Sequence, residues 1–469
     1  MRRRTLLAAP ALLLAAAPPA LAAGAMGPLT AAPGGRHFAR PDGRAVHLAG
    51  SHSWTNLQDV NDADPPRPFD NAAYLDLLAA GGHNIIRLWA WEAARGGGDA
   101  FGFVDPLPYR RTGPGTDALG RPRFDLHAPD QAYFDRLRAR VRAAAARGIY
   151  VSVMLWNTWS IHNYTGDPAK NPWPFHPFNA AANVNGIDGD PGRSGTGLGI
   201  QTLADPAVTA LQEAYLRKVV DTLGDCDNLL YEISNEPIGD AATEAWQRHM
   251  IASLNAHQAR GPRRHPVGMT AGIRPDQATI EAQLHASAAD WISLAGFDTH
   301  KDDPPEADGR KVSLLDTDHL FGIGGDAAWA WKAFCRGHNL LYMDSLTGTG
   351  IAGRLFDAPP DLAATEASGR RGVTGTRLAA DLVEIGRMAP RRDLCSSGYA
   401  MAEEGESCIC YAEGAFTLDL RAAAGHQMQG WWIDAERGVR LGTERIAGGT
   451  VHRFAPPAGR AALVLRRMG

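Results

Sequence analysis

A (β/α)8 TIM barrel followed by a small C-terminal antiparallel β-sandwich is the fold class this sequence predicts. Three observations carry the prediction. Eight short runs, apolar on both faces, alternate with helix-period segments between residues 46 and 388. After residue 389 the hydrophobic period shortens to two, with Gly, Pro and Asp between the runs. No Gly-x-Gly-x-x-Gly follows the first run, which disfavours the competing doubly wound open sheet.

The strand candidates of the barrel are 46–50, 84–89, 150–155, 229–234, 266–270, 292–296, 312–315 and 340–343. Helical patterns fill 71–80, 131–147, 207–223, 241–260, 276–285 and 326–335, and a last one, 377–388, follows the eighth strand. Asp70, Asp130, Asp205 and Asp240 stand where an N-cap oxygen accepts from a free helix N–H. The segments 90–130 and 156–204, rich in Gly, Pro, Asn and Trp, read as long loops that build a pocket at the carboxyl ends of the strands. Sandwich strands are expected at 407–411, 415–420, 428–433, 450–454 and 461–465. The division is therefore a signal segment at 1–23, a barrel at 36–389 and a β-sandwich at 390–469.

At 469 residues the chain exceeds the roughly 300 of one domain, which agrees with that division. With 45% hydrophobic and 21% charged residues it is an ordinary globular composition, not a disordered one. A formal charge of −4 excludes a nucleic-acid-binding surface or polybasic membrane patch as a dominant feature. Arg2, Arg3 and Arg4, an apolar run from Leu6 to Leu14 and the small residues Ala20 to Ala23 make a secretory signal. Arg3-Arg4-Thr5-Leu6-Leu7 is also similar to a twin-arginine signal, so either export route is open. No later apolar run approaches the roughly 18 residues of a membrane span, so the mature chain is expected to be exported and soluble. A monomer is expected, although no motif addresses oligomeric state. Of the five cysteines, Cys395 with Cys408 or Cys410 could form one disulfide in an oxidising compartment. No spacing reads as a metal site and no cofactor is expected.

In such a barrel, chemistry sits just past the carboxyl ends of strands. The run Leu229 to Pro237 delivers Asn235 and Glu236 there, while Glu232, inside the strand, reads as a buried, hydrogen-bonded carboxylate. The seventh strand opens into Asp316-Thr317-Asp318-His319, two carboxylates that share a face if the strand continues. His52 and Trp54 follow strand one; Trp89, Trp91 and Glu92 follow strand two; Asn157 and Trp159 follow strand three. Asp298 and His300 follow strand six, and Asp344 strand eight. Tryptophan is abundant, 12 against 14 phenylalanines, and indole faces stacked on sugar rings amid polar groups suit a neutral polyhydroxylated ligand.

The run Ile233-Ser234-Asn235-Glu236-Pro237 resembles the acid/base signature of the retaining TIM-barrel glycoside hydrolases, the clan of the cellulases and β-galactosidases. Asn84-Ile85-Ile86-Arg87 is similar to that clan's Asn-x-x-Arg, whose arginine supports the nucleophile. Arg36-His37-Phe38 and Leu48 to Trp54, with the β tail, more closely resemble the apiosidase-like family, whose members often end in a small domain named for collagen binding. The resemblance implies hydrolysis of a carbohydrate by two carboxyl groups. Glu236 would be acid/base, and Asn235 would bond the sugar's 2-hydroxyl. The clan places a glutamate nucleophile after strand seven; here only Asp318 and Asp316 are available, Asp318 preferred, with Asp344 and Glu92 as outsiders. The missing glutamate keeps a second expectation alive: a carbohydrate-binding or adhesion protein on an inactive barrel. A collagenase has no support, since no metal-ligand motif occurs and Cys395-Ser396-Ser397-Gly398 lacks the context of a nucleophile elbow.

Overall fold

The structure, a computed structural model, describes residues 26–98, 101–273, 276–294, 298–351 and 361–469. The expected signal segment lies outside them. Eight parallel strands form the barrel: β1 (Ala49–His52), β2 (Ile85–Leu88), β3 (Tyr150–Asn157), β4 (Leu229–Asn235), β5 (Val267–Thr270), β6 (Trp291–Ser293), β7 (Val312–Asp316) and β8 (Asn339–Met343). Their order is β1-β8-β7-β6-β5-β4-β3-β2, and a parallel bridge from Ser53 to Leu88 closes the ring. All residues of these strands are buried, as expected when helices cover one face and the barrel interior the other.

Two residues explain the seam. A side chain at Gly50 would put its Cβ 1.8 Å from the Ile85 carbonyl oxygen, so only glycine lets β1 approach β2. Asn84 then stitches the strands, accepting from the Ala49 amide at 2.9 Å and donating to the His47 carbonyl at 3.0 Å. The first strand thus starts later than the sequence suggests. Val46 belongs instead to a small sheet of Thr30–Ala31, Phe38–Ala39 and Ala45–Val46, whose Phe38 and Val46 pack against Ile85, Tyr150 and Leu230 to floor the barrel.

The helices are α1 (Asn71–Ala80), α2 (Gln131–Ala145), α3 (Pro206–Leu223), α4 (Ala241–Gln258), α5 (Gln277–Ala286), α6 (Asp298–Asp302), α7 (Asp318–Phe321), α8 (Ala327–Cys335) and α9 (Leu362–Ala380). Asp70, Asp130, Asp205 and Asp240 each accept an amide hydrogen bond at the starts of α1 to α4. The helix expected at 377–388 is instead α9, which begins at Leu362 and ends at Ala380. Its glycines disguise it, because each costs about 1 kcal/mol in a helix. They are there for packing: a Cβ on Gly369 would meet the Tyr342 ring at 2.2 Å, so the helix lies directly on β8. The segment expected as an irregular loop at 90–130 carries a hairpin, Tyr109–Thr116 with Pro122–Pro129, and two short strands, Arg95–Gly96 and Gly102–Asp105. Among the described residues no helix is long and apolar enough to cross a membrane.

Beyond the barrel, β9 (Ala389–Pro390), β10 (Ala400–Glu403), β11 (Ser407–Ala412), β13 (Gln427–Asp434), β14 (Val439–Ala447) and β16 (Ala461–Arg467) form one antiparallel sheet. β12 (Phe416–Asp419) and β15 (Val451–Phe454) pair with each other as a second, two-stranded antiparallel sheet, whose Phe416 and Leu418 share a core with the first. β14 escaped the sequence reading because it is an almost wholly exposed edge with no burial alternation. The other face of the sheet packs on α8 and α9: Trp331 stacks on Tyr411 at 6.2 Å and donates to the Ala435 carbonyl at 3.3 Å. All five cysteines are free thiols, and neither pairing open to Cys395 is formed. Cys395, Cys408 and Cys410 share the sandwich core, with Cys408 and Cys410 sulfurs 3.5 Å apart.

Candidate active site

Glu236 is the first residue past β4, and Pro237 prevents the ladder from continuing. Its φ of 45° is a left-handed conformation that costs a glutamate on the order of 1–3 kcal/mol and tends to mark functional positions. The Trp159 indole N–H donates to Glu236 Oε2 at 2.6 Å, and the Tyr164 hydroxyl donates to the Glu236 carbonyl at 3.3 Å. Burial pushes the Glu236 carboxyl above its usual range, against the Trp159 hydrogen bond.

The two aspartates after β7 differ sharply. Asp316, 1% exposed, ends the strand with both oxygens engaged. Oδ1 accepts from His52 Nε2 at 2.9 Å and from the Asp318 amide at 2.9 Å, and Oδ2 accepts from Arg87 at 3.4 Å. Burial would raise its carboxyl, but His52 and Arg87 outweigh it and hold it well below the normal range. Asp318, 8% exposed, accepts from the Trp54 indole at 3.2 Å through Oδ1. Its Oδ2 has no hydrogen-bond partner and lies 3.6 Å from Arg87 and 3.8 Å from His319. Burial, the facing Glu236 and the neighbouring Asp316 push the Asp318 carboxyl well up. Glu236 and Asp318 therefore titrate as a pair that retains a proton above the usual carboxylate range.

Arg87 organises this cluster from β2. It donates to both oxygens of Glu232, to Asp316 and, at 2.9 Å, to Asn235 Oδ1, and its guanidinium lies 4.8 Å from the centre of the Trp89 ring. Burial would lower its pKa, but Glu232 and Asp316 keep it firmly charged. Thr270 donates to Glu232 at 2.9 Å, so the buried carboxylate is fully occupied as an anchor for the guanidinium. His319, unassigned from sequence, lies between Asn235 Oδ1, at 3.0 Å from its Nε2, and Ser293 Oγ, at 3.2 Å from its Nδ1. Burial pushes it down to about 3, against the pull of Asp316, so it is neutral. Nothing in the linear spacing distinguished it from a loop histidine.

Glu236, Asp318 and His319 offer one ligand atom each, all within 4.8 Å of one another, the spacing a cation could span among the described residues. His319 Nε2 must donate to Asn235 Oδ1, which can only accept, so that nitrogen has no lone pair for a metal.

Of the residues singled out from sequence, Glu236, Asp316, Asp318, Asn235, Arg87, His52, Trp54, Trp89, Asn157 and Trp159 converge. His52 stacks on Trp89 at 6.0 Å, and Asn157 Oδ1 accepts from Asn235 at 3.3 Å. Buried atoms with no hydrogen-bond partner among the described residues include His52 Nδ1, Trp89 Nε1 and Asn157 Nδ2. Others serve the walls: Trp91 donates to the Trp54 carbonyl at 2.7 Å, and Glu92 accepts from the Asn157 amide at 2.7 Å and faces His176 at 3.5 Å. His300 meets the Gln277 side chain at 2.6 Å. Asp344 turns away, bound by Arg370 at 2.7 and 2.8 Å and by the Leu346 amide at 2.9 Å. The Asp298 side chain lies outside the described residues.

No family model and no curated protein matches the chain. Solved structures do. A glycoside hydrolase family 5 protein from Bacteroides vulgatus superposes with a TM-score of 0.58 at 14% identity, over 94% of each chain. A candidate glycoside hydrolase from the same organism gives 0.62 at 13% identity, over 94% of this chain and 83% of that one. Another glycoside hydrolase gives 0.54 at 14% identity, over 94% and 97%. The likeness is one of fold. It extends across both the barrel and the C-terminal sheets.

Proposed function

We propose that this chain is an exported glycoside hydrolase that cleaves O-glycosidic bonds of an oligo- or polysaccharide with retention of anomeric configuration. The observation that carries the reading is the approach of the Glu236 and Asp318 carboxyl oxygens to within 4.8 Å. Retaining enzymes hold their carboxyl groups about 5–5.5 Å apart, whereas inverting ones leave about 6.5–9.5 Å for a water. The fold neighbours described as glycoside hydrolases support the same class of reaction. The residues around β1 and the β tail favour an apiosidase-like relative within it.

Glu236, whose carboxyl burial pushes upward, donates a proton to the departing glycosidic oxygen. Asp318 attacks the anomeric carbon with Oδ2, the oxygen that accepts no hydrogen bond, forming a covalent glycosyl-enzyme, and Glu236 then takes a proton from the water that releases the sugar. Arg87, 3.6 Å from Asp318 Oδ2, favours the charged aspartate, whereas burial and the facing Glu236 push the Asp318 carboxyl up, so the reaction requires the shared proton to settle on Glu236 when the sugar binds. Asp316 is the poorer nucleophile because both of its oxygens are occupied. Asn235 presents its amide to the 2-hydroxyl, and Trp159 supplies a ring face, while Trp89 is buried between Arg87 and His52. An aspartate nucleophile is one methylene shorter than a glutamate.

The test is a panel of 4-nitrophenyl glycosides and plant and bacterial oligosaccharides with the mature protein, the product anomer read by proton NMR. Turnover with retention is expected, and Asp318→Ala should lose it while azide rescues the variant as a glycosyl azide of inverted configuration. Glycan binding with no turnover over long incubation would favour an inactive barrel instead.

A further inference from the structure

We infer that His319 is a positioning residue that locks the Asn235 carboxamide in one of its two orientations, and thereby sets the preference for a sugar carrying a hydroxyl at carbon 2. The inference rests on the proposed placement of Asn235 at that hydroxyl and adds to it a residue and a measurable selectivity.

A carboxamide has nearly the same shape when its oxygen and nitrogen are exchanged, so only its partners fix which end faces a ligand. Asn235 Oδ1 has two donors converging on it, Arg87 Nη2 at 2.9 Å and His319 Nε2 at 3.0 Å. With the oxygen held on that side, Nδ2 donates to Asn157 Oδ1 at 3.3 Å and retains a second N–H for substrate. Arg87 alone is a divided anchor, since its other donors serve Glu232 and Asp316. His319 completes the lock only as the Nε2–H tautomer. Arg87, which can only donate, holds the carboxamide oxygen on this side, and on the far side the Ser293 hydroxyl, 3.2 Å from Nδ1, accommodates that tautomer by donating to it. Ser293 ends β6 and Asn235 ends β4, so the imidazole spans the mouth between two strands that are not neighbours in the sheet. It follows Asp318 directly, with Nε2 3.8 Å from Asp318 Oδ2. The same turn of chain therefore supplies the proposed nucleophile and orients the group that reads the adjacent carbon.

The experiment compares kcat/KM for a 4-nitrophenyl glycoside turned over by the wild type with that for its 2-deoxy counterpart. His319→Leu should shrink the ratio between the two at least tenfold, because the interaction at carbon 2 is lost while the rest of the site persists. His319→Gln, which retains a side-chain N–H directed at Asn235 Oδ1, should keep the ratio within about threefold of wild type. Equal losses on both substrates for His319→Leu would overturn the inference and leave only a structural role. Nitrogen-15 NMR of the resting wild-type protein supplies a readout that needs neither turnover nor a folded variant. A neutral Nε2–H imidazole at pH 5.5 is expected for His319, and an Nδ1–H tautomer or a charged ring would overturn the inference. Absence of any glycoside turnover would count against the proposed reaction and would leave this spectroscopic result standing by itself.

Discussion

Replacing Glu236 by glutamine keeps the shape and removes the proton that the leaving group needs. The structure sets what else changes. Trp159 still has an oxygen to donate to, so the side chain stays aimed, although the 2.6 Å bond loses its charged acceptor. Loss of general-acid work should lower kcat/KM for an unactivated alkyl glycoside by roughly 10²–10⁴, or about 2.7–5.4 kcal/mol of transition-state stabilisation. A 2,4-dinitrophenyl glycoside leaves as a stable anion and needs no proton, so its kcat/KM should stay within about tenfold of wild type. Its kcat should fall much further, because Glu236 is also the base that activates water, and a burst of dinitrophenolate equal to the enzyme concentration should precede slow turnover. Stability gives an independent reading. The Glu236 pKa is raised by folding, so the native state binds more protons than the unfolded one and stability falls as pH rises through the raised value. Removing the ionisable group removes that penalty, and Glu236→Gln should melt at or above the wild-type temperature at pH 7. Equal losses with both leaving groups, or an alkyl glycoside hydrolysed within tenfold of wild type, would refute the acid/base assignment.

Trp159→Phe removes the hydrogen bond that favours ionised Glu236, so the Glu236 pKa should rise further and the alkaline limb of the kcat/KM profile should move to higher pH; a limb that stays put or moves down would count against the pairing. Asp316→Asn should cost about 3–5 kcal/mol in urea unfolding, since His52 and Arg87 lose a buried partner. The Asp316 pKa is depressed by folding, so its stabilisation is present above the unfolded carboxylate range and fades as pH falls through it, and the gap between variant and wild type should narrow in acid. Asp344→Asn should lower the melting temperature through loss of the buried Arg370 pair yet leave kcat/KM within about threefold, and a hundredfold loss would return Asp344 to the site.

The barrel was legible because parallel strands buried on both faces read as unbroken apolar runs, and because aspartate caps announce the helices. α9 was misread for the opposite reason: three of its buried residues are Gly369, Gly372 and Gly375, chosen for contact with β8 and α8 at the expense of helix propensity. The strand-end rule located the polar residues of the site and said nothing about where each side chain points. Asp344 obeys that rule and still faces Arg370 on α9, whereas Glu232 and His319, passed over as site residues, hold the two ends of the Arg87–Asn235 network. The choice between Asp316 and Asp318 shows why spacing alone falls short. They are two residues apart on one turn, yet one has an oxygen tied to His52 and the other has one oxygen tied to Trp54 and one that accepts no hydrogen bond, and both discriminating residues lie 264 positions away in the chain. The pairing of β1 with β8, beside β7, places His52 and Trp54 on those two carboxylates, and closure of the barrel at Gly50 brings β2 and its Arg87 around to them. A glycine with no chemistry of its own therefore decides whether Arg87 reaches both aspartates, because a side chain there would hold β1 away from β2 and open the ring that carries Arg87 to Asp316 and Asp318.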